Sequence, residues 1–142
     1  LRYVNAHADF MVSLSRLLQA INNFANKSSC VIVGRSSDYI LRNRNDVLNV
    51  FIYAPQENEI AEVMKEKGLK NMHKAKEEWE SVDKAQHARH EYITGKKRGD
   101  RHTRGMLIDS SILGWDETAD VIIDMIDRKF QQEDVMQLKK EA

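Results

Sequence analysis

The fold class follows from the stretch VLNVFIYA at residues 47–54, which ends at the single proline of the chain, Pro55. Its hydrophobicity is nearly continuous rather than alternating, which is typical of a strand buried on both faces of a parallel sheet. Two further apolar runs, CVIV at 30–33 and MLID at 106–109, have the same character. We therefore predict an α/β fold with a mostly parallel sheet flanked by helices.

Helices are predicted around these strands because apolar residues recur at intervals of three and four. They cover residues 5–26, 57–67 and 70–92, with Gly68 ending the second, and a last helix begins near an N-cap at Asp116. The stripes expected to be buried include Ala8, Met11, Leu14, Leu18, Ile21 and Ala25 in the first helix; Leu69, Met72, Ala75, Trp79, Val82 and Tyr92 at the third; and Ala119, Ile122, Ile123, Ile126 and Phe130 in the last.

The domain organisation predicted from these elements is a partial domain at residues 1–130 and a polar, frayed C-terminal tail at 131–142. Three strands are fewer than the roughly 4 to 6 of a usual sheet. Because the chain also begins with Leu rather than Met, we expect the domain to be incomplete at its N-terminus.

Composition excludes several classes of protein. Lysine plus arginine and aspartate plus glutamate number 22 each among 142 residues, so no bulk charge favours wrapping DNA or lying on an anionic membrane. The single cysteine, Cys30, excludes an intramolecular disulfide framework and is expected to be a small buried hydrophobe in a reducing compartment. No apolar stretch approaches the roughly 20 residues needed to span a bilayer. We expect a cytoplasmic protein that does not bind membranes.

A first candidate site is the turn Gly34-Arg35-Ser36-Ser37-Asp38, which follows the predicted strand at 30–33. Ligands of open α/β sheets bind beyond the carboxyl ends of strands, where a helix N-terminus favours an anion. Arg35 there would grip a phosphate through two hydrogen bonds. The alternative is a tight turn in which Ser36 or Ser37 caps a helix and Arg35 lies in solvent.

A second candidate site is the segment 84–104, which carries seven basic residues against two acids. The basic residues are Lys84, Arg89, Lys96, Lys97, Arg98, Arg101 and Arg104. A solvated loop is the alternative interpretation. Arg89 lies at the edge of the predicted buried stripe, so we expect it to need a partner, either an acid of the fold or a bound phosphate.

Other polar residues give weaker signals. Asp109 ends a predicted strand, where its carboxylate could either reach a ligand or cap the next turn. His87 and His90 are spaced for one helix face but lack a third ligand, so we predict no metal site in the chain. No G-x-x-x-x-G-K-[ST] motif occurs, because only Gly95 precedes a lysine and His90 stands where the first glycine would be.

Several of these stretches together resemble the cytidylate kinase-like family of P-loop proteins, over residues 5–130. The resemblance rests on CVIVGRSSDYIL (30–41), VFIYAP (50–55), VDK (82–84) with Arg89 and Tyr92, TGKK (94–97), Gly99-Asp100, and LIDSSILG (107–114) followed by ETA (117–119). It implies a three-layer P-loop fold and phosphoryl transfer from ATP, with Mg²⁺, to a nucleoside monophosphate such as CMP. A nucleotide is then the expected partner, nucleic acid is not, and a homo-oligomer is an open possibility.

The resemblance also implies roles for particular residues. Gly34, Arg35 and Asp38 would bind the acceptor; Lys84 and Arg89, on a lid at about 84–104, would reach the transferred phosphoryl; Arg101 and Asp109 would contact ATP. The chain departs from the family pattern at Lys97-Arg98-Gly99-Asp100, where Lys-Trp-Gly-Asp is usual, and at Arg104-Gly105, where Tyr-Asp is usual.

The P-loop of this family would lie upstream of Leu1, so we expect the 142 residues alone to be inactive. Two alternatives remain open from the sequence. One is a non-catalytic module that binds a nucleotide, RNA or protein through the basic segment. The other is an unrelated flavodoxin-like domain.

Overall fold

The computed structural model describes the backbone of residues 2–141 and the side chains of residues 13–131. The elements in chain order are α1 (Arg2–Lys27), α2 (Ser37–Ile40), β1 (Val50–Tyr53), α3 (Gln56–Lys67), α4 (Met72–Thr94), a 3₁₀ turn (Arg101–Thr103), β2 (Met106–Asp109), α5 (Ser110–Leu113) and α6 (Trp115–Glu141). They form two compact units, one up to Val47 and one from Leu48 onward. The fold is a mixed α/β structure, in which a two-stranded parallel sheet is flanked by helices.

The first unit is built on α1, which confirms the predicted helix at 5–26. Ile21 is buried, and Leu14, Leu18 and Ala25 are half-buried on the same face; the predicted positions Ala8 and Met11 lie outside the residues with described side chains. Arg44 holds the end of this helix, since Nη2 donates to the Ala25 carbonyl at 3.1 Å and Nη1 donates to Asn26. Its hydrogen bond to Asp46 raises the pKa of the Arg44 guanidinium.

The strand predicted at 30–33 is wrong. These residues are irregular, and Val31 and Val33 are 90% and 86% exposed. Cys30 is exposed as well, so its expected burial is also wrong. A strand needs a neighbour that satisfies its backbone N–H and C=O groups. In the backbone of residues 2–141 the sheet consists of β1 and β2, and this segment pairs with neither of them.

The second unit contains the parallel sheet, which confirms the predicted strands at 47–54 and 106–109. β1 is shorter than predicted and pairs with β2 from Val50 opposite Met106 to Tyr53 opposite Asp109. The connection is a helical hairpin of α3 and α4, in which Ile60 and Ala75 are buried. Gly68 ends α3 in the left-handed conformation (φ 63°), as predicted, and Asn71 caps α4 by accepting from the His73 and Lys74 amides.

The buried stripe predicted along α4 is wrong at several positions. Met72, Val82 and Tyr92 are exposed, whereas Trp79 is half-buried and donates its Nε1–H to Glu59. At 1.5 Å per residue, the 12 residues of α3 extend about 18 Å and the 23 residues of α4 about 35 Å. Because α3 runs beside the first half of α4, it does not reach Tyr92. Met72 and Val82 lie within the half that α3 accompanies, so the length of α3 does not account for their exposure.

The C-terminal helix α6 begins at Trp115, so Asp116 lies in its first turn rather than at the predicted N-cap. Ile122, Ile126 and Phe130 are half-buried, but Ala119 and Ile123 are exposed, contrary to prediction. The backbone of the polar tail continues α6 as far as Glu141. Among the helices described here, none is long and apolar enough to cross a membrane.

Candidate functional site

The basic segment turns sharply where α4 ends. Gly95 adopts the left-handed conformation (φ 68°), and its amide donates to the Glu91 carbonyl at 2.8 Å. Thr94 fixes the turn on both sides, because its hydroxyl donates to the His90 carbonyl at 2.8 Å and accepts from the Lys96 amide at 3.0 Å. The chain then enters residues 95–104, which we call the basic loop.

The second half of the basic loop is a 3₁₀ turn. The Asp100 carboxylate accepts from the His102 amide at 3.0 Å, and the Asp100 carbonyl accepts from the amide and the hydroxyl of Thr103 at 3.1 and 3.0 Å. Residues 95–100 line a shallow surface depression of ≈ 470 Å³. The loop therefore has a defined local conformation, and its own residues line the concave face.

Phe51 of β1 is the surface on which the basic loop rests. A Cβ placed on Gly99 would lie 3.0 Å from Cε1 and Cζ of the Phe51 ring, and Gly99 has φ 79°. The Arg98 and Arg104 guanidinium carbons lie 5.5 and 5.4 Å from the ring centroid, within the range of a cation–π interaction. The close approach at Gly99 and the two arginines bring the loop onto one side chain of the sheet.

Two polar residues hold the guanidinium groups. Arg98 Nη1 lies 3.3 Å from Asp83 Oδ1, and the second oxygen of Asp83 lies 3.2 Å from His87 Nδ1. Arg104 Nη1 donates to Asn49 Oδ1 at 2.9 Å, while Asn49 Nδ2 donates to the Thr103 carbonyl at 3.0 Å. The loop is thus fastened to α4 at one end and to the start of β1 at the other.

The remaining cations of the segment point into solvent. Lys84 and Arg89, predicted as catalytic, and Arg101, predicted to contact the cofactor, are all exposed. The expectation that Arg89 sits at a buried edge is wrong, because the adjoining part of the α4 stripe is itself exposed. Within residues 13–131, no acid forms an ion pair with any of five cations: Lys84, Arg89, Lys96, Lys97 and Arg101.

Asp109 lies at the carboxyl end of β2, where a ligand of the sheet would approach. Its Oδ1 accepts from the Ser111 amide at 2.9 Å and from the Ser111 hydroxyl at 2.7 Å, so it caps α5. Of the two roles left open by the sequence, the structure therefore displays the cap. Its expected contact with ATP stays a prediction.

The predicted acceptor residues Gly34, Arg35 and Asp38 belong to the other unit. Three consecutive residues of their turn are left-handed, with φ values of 69° at Gly34, 58° at Arg35 and 53° at Ser36. A non-glycine residue in this region costs roughly 1–2 kcal/mol. Arg35 is exposed and Asp38 half-buried, whereas Ser36 is buried at the N-cap of α2 without a side-chain capping bond. Because α2 is a single turn of four residues, its N-terminus offers only a weak helix dipole for binding the anion expected there.

Sequence reasoning missed Asn49 and Phe51 as parts of the site. Both were assigned to a buried strand, yet Asn49 anchors the end of the basic loop and Phe51 carries its middle. The available signal was the single amide side chain in VLNVFIYA. An amide inside an apolar run needs hydrogen-bonding partners when it is buried, and these partners lie more than 50 residues away in sequence.

The fold and the site together define an α/β protein with a parallel βαβ unit and a basic loop fastened to its first strand. Residues 7–112 match the model of the cytidylate kinase-like family. The chain belongs to this family, which confirms the resemblance identified from the sequence.

A solved structure gives a second comparison. The crystal structure of an uncharacterized protein from Eubacterium ventriosum ATCC 27560 is 28% identical and superimposes with a TM-score of 0.76, over 81% of this chain and 65% of that protein. The chain therefore spans about two thirds of the length of this relative. No curated protein matches the chain.

Proposed function

We propose that the protein containing this chain is an ATP-dependent phosphotransferase that transfers the γ-phosphoryl group to a nucleoside monophosphate, such as CMP, or to a related small acceptor. Membership of the cytidylate kinase-like family supports the reaction class. The observation that carries the proposal is the set of five exposed cations on segment 84–104 that have no acidic partner in the described part of the chain. Cations that the fold has not neutralised are available to a polyphosphate.

The reaction fits this chemistry because phosphoryl transfer depends on positioning and on stabilising negative charge, with little covalent work for the protein. In the proposal Lys84 and Arg89 approach the transferred phosphoryl group, and Arg101 contacts the phosphates of ATP. Gly34, Arg35 and Asp38 bind the acceptor, with Arg35 directed to its phosphate. Asp109 stands at the carboxyl end of β2, where it would face the nucleotide.

The described residues suit ATP better than Mg²⁺, the second expected cofactor. The exposed cations suit the phosphate chain of ATP. For Mg²⁺, no group of three or more His, Cys, Asp or Glu residues with metal-binding geometry occurs in the described region. We therefore assign no step to Mg²⁺. The chain also lacks a G-x-x-x-x-G-K-[ST] loop, so the proposal requires that loop, and the three-layer P-loop sheet around it, in a longer protein.

The gene sequence provides the first test. The proposal expects G-x-x-x-x-G-K-[ST] upstream of Leu1, directly after an apolar strand. A gene without such a loop would remove the basis for ATP-dependent transfer.

The second test measures phosphoryl transfer from ATP to CMP by the full-length protein. Arg89→Ala should lower kcat about 10²–10³-fold, as expected for loss of one group that stabilises transition-state charge. Its thermal midpoint should not change, because Arg89 is exposed and has no ion pair in the described region. Arg128→Ala is the control for charge: it removes an equal charge from an exposed position on α6, where Arg128 pairs with Asp124. Equal kcat values for the two variants would refute the assignment of Arg89.

The second candidate function is a non-catalytic module that binds a nucleotide or RNA through the same cations. The exposed pair Lys96 and Lys97 favours it, because adjacent free lysines suit a phosphate backbone. This function predicts RNA binding that weakens steeply with salt, together with no turnover of ATP. Turnover that depends on Arg89 excludes it.

A further inference from the structure

The seven basic residues of segment 84–104 fall into two groups with different surroundings. Five are exposed, whereas Arg98 and Arg104 are half-buried against Phe51. Charge alone does not explain this division, because the basic loop contains members of both groups. The division follows the contacts with β1 and α4.

The half-buried arginines share one arrangement. Each guanidinium lies near the Phe51 ring and is held by a second side chain, Asp83 for Arg98 and Asn49 for Arg104. An arginine held in this way has given part of its hydrogen-bonding capacity to the fold. It is therefore a weaker candidate to bind a ligand than the exposed Lys96, Lys97 or Arg101.

The backbone of the loop completes the arrangement. Gly99 approaches the Phe51 ring so closely that a Cβ would lie 3.0 Å from two ring atoms. Asn49 Nδ2 adds a hydrogen bond to the Thr103 carbonyl, and the Asn49 carbonyl accepts from the amides of Gly105 and Met106. These contacts restrain the basic loop at Gly99 and Thr103 and, through the two arginines, at residues 98 and 104. The backbone that carries the exposed cations is therefore held against β1.

We propose that Phe51, Asp83 and Asn49 form a clamp for the basic loop, in which Arg98 and Arg104 are positioning residues. The loop cations that contact phosphate are then Lys96, Lys97 and Arg101. The part of this inference that concerns phosphate rests on the proposed function. The clamp itself does not.

Asp83→Asn separates the clamp from direct binding by Arg98, because the two roles predict effects of opposite sign. If Arg98 were a phosphate ligand, removing a neighbouring negative charge would release it and strengthen binding of an anion. In the clamp, the same change loosens the loop and weakens binding. The Asp83 side chain is 31% exposed, so the variant should still fold.

The experiment has two readouts on the 142-residue chain. Hydrogen exchange of amides 96–104 should accelerate about 1.5- to fivefold in Asp83→Asn, corresponding to loss of one partly exposed ion pair. Calorimetry with inorganic tripolyphosphate should show binding weakened by a similar factor. Phe51→Leu, which leaves the charge unchanged, should alter both quantities in the same direction.

Two controls isolate the Arg98 contact. His87→Ala removes the other partner of Asp83 and should leave the exchange of the loop unchanged. Asp124→Asn changes the net charge by the same amount as Asp83→Asn, but on α6, and should not weaken binding of tripolyphosphate. Stronger binding with unchanged exchange in Asp83→Asn would overturn the clamp. If the unmodified chain fails to bind tripolyphosphate, the phosphate-binding part and the proposed role of the loop both fail, whereas hydrogen exchange still decides the clamp.

Discussion

Replacing Gly99 with alanine should destabilise the protein more than replacing Gly95, although both glycines belong to the same loop. Both are left-handed, with φ values of 79° and 68°. A Cβ at Gly95 meets nothing within 4 Å, whereas a Cβ at Gly99 lies 3.0 Å from Phe51. The pair therefore shares a backbone penalty and differs in one contact.

The two substitutions should lower the free energy of unfolding by different amounts. Alanine in the left-handed region costs roughly 1–2 kcal/mol, and the smaller freedom of the unfolded chain returns about 0.4–1 kcal/mol. Gly95→Ala should thus lower the free energy of unfolding by about 1 kcal/mol. Gly99→Ala adds the displacement of a ring contacted by two guanidinium groups, and overpacking of this kind costs about 1–3 kcal/mol. We expect a difference near 1–2 kcal/mol, since a shift of a few tenths of an ångström relieves the overlap.

Urea unfolding followed by far-ultraviolet circular dichroism measures this difference. In a Phe51→Leu background the two ring atoms are absent, so the extra cost of Gly99→Ala should disappear, giving a coupling of about 1–2 kcal/mol. If the two alanine variants unfold at the same urea concentration, the contact between the basic loop and β1 contributes nothing. The reasoning from the structure would then be refuted.

Two further changes test the hairpin of α3 and α4 by the same urea assay. Asn71→Ala removes the side chain that accepts from the His73 and Lys74 amides, so it should lower the free energy of unfolding by about 1 kcal/mol. Asn58→Ala, at an exposed position of α3, is the control. An effect of Asn71→Ala no larger than that of the control would contradict the cap. Ala75→Leu inserts a large side chain at a fully buried position and should lower the free energy of unfolding by about 1–3 kcal/mol. Ala88→Leu, at an exposed position of α4, should lower it by less than about 0.5 kcal/mol. Equal effects of the two substitutions would contradict the packing of α4 at Ala75.

The elements that sequence predicted well are those whose signal is local. Gly68 as a helix stop and the strand at 106–109 depend on backbone preference and on patterns a few residues long. The strand at 30–33 has an equally apolar pattern but is irregular, because pairing requires a neighbour that the pattern does not specify. The far end of the predicted α4 stripe, at Tyr92, failed for a related reason: its burial depends on how far α3 extends along α4.

The candidate site was predictable in location but not in internal organisation. The charge count placed the basic segment at 84–104, and the structure exposes most of its cations. Which arginines the fold holds depends on Asn49, Phe51 and Asp83. The hydrogen bonds from Asn49 to the loop span 54 and 55 residues, a distance over which no periodicity carries information.

The departures from the family pattern acquire a physical reason from these contacts. Arg98 and Arg104 stand at the two positions where the resemblance led us to expect Trp and Tyr, and both guanidinium groups lie near the Phe51 ring. A guanidinium is planar and stacks on aromatic faces, so it can pack against Phe51 as an aromatic side chain would while also donating hydrogen bonds. The two additional guanidinium groups therefore hold the loop in place, Arg98 through Asp83 and Arg104 through Asn49. The cations available to a ligand are therefore the five exposed ones. Substitutions at Arg98 should act on binding mainly by loosening the loop, and less through the loss of its charge.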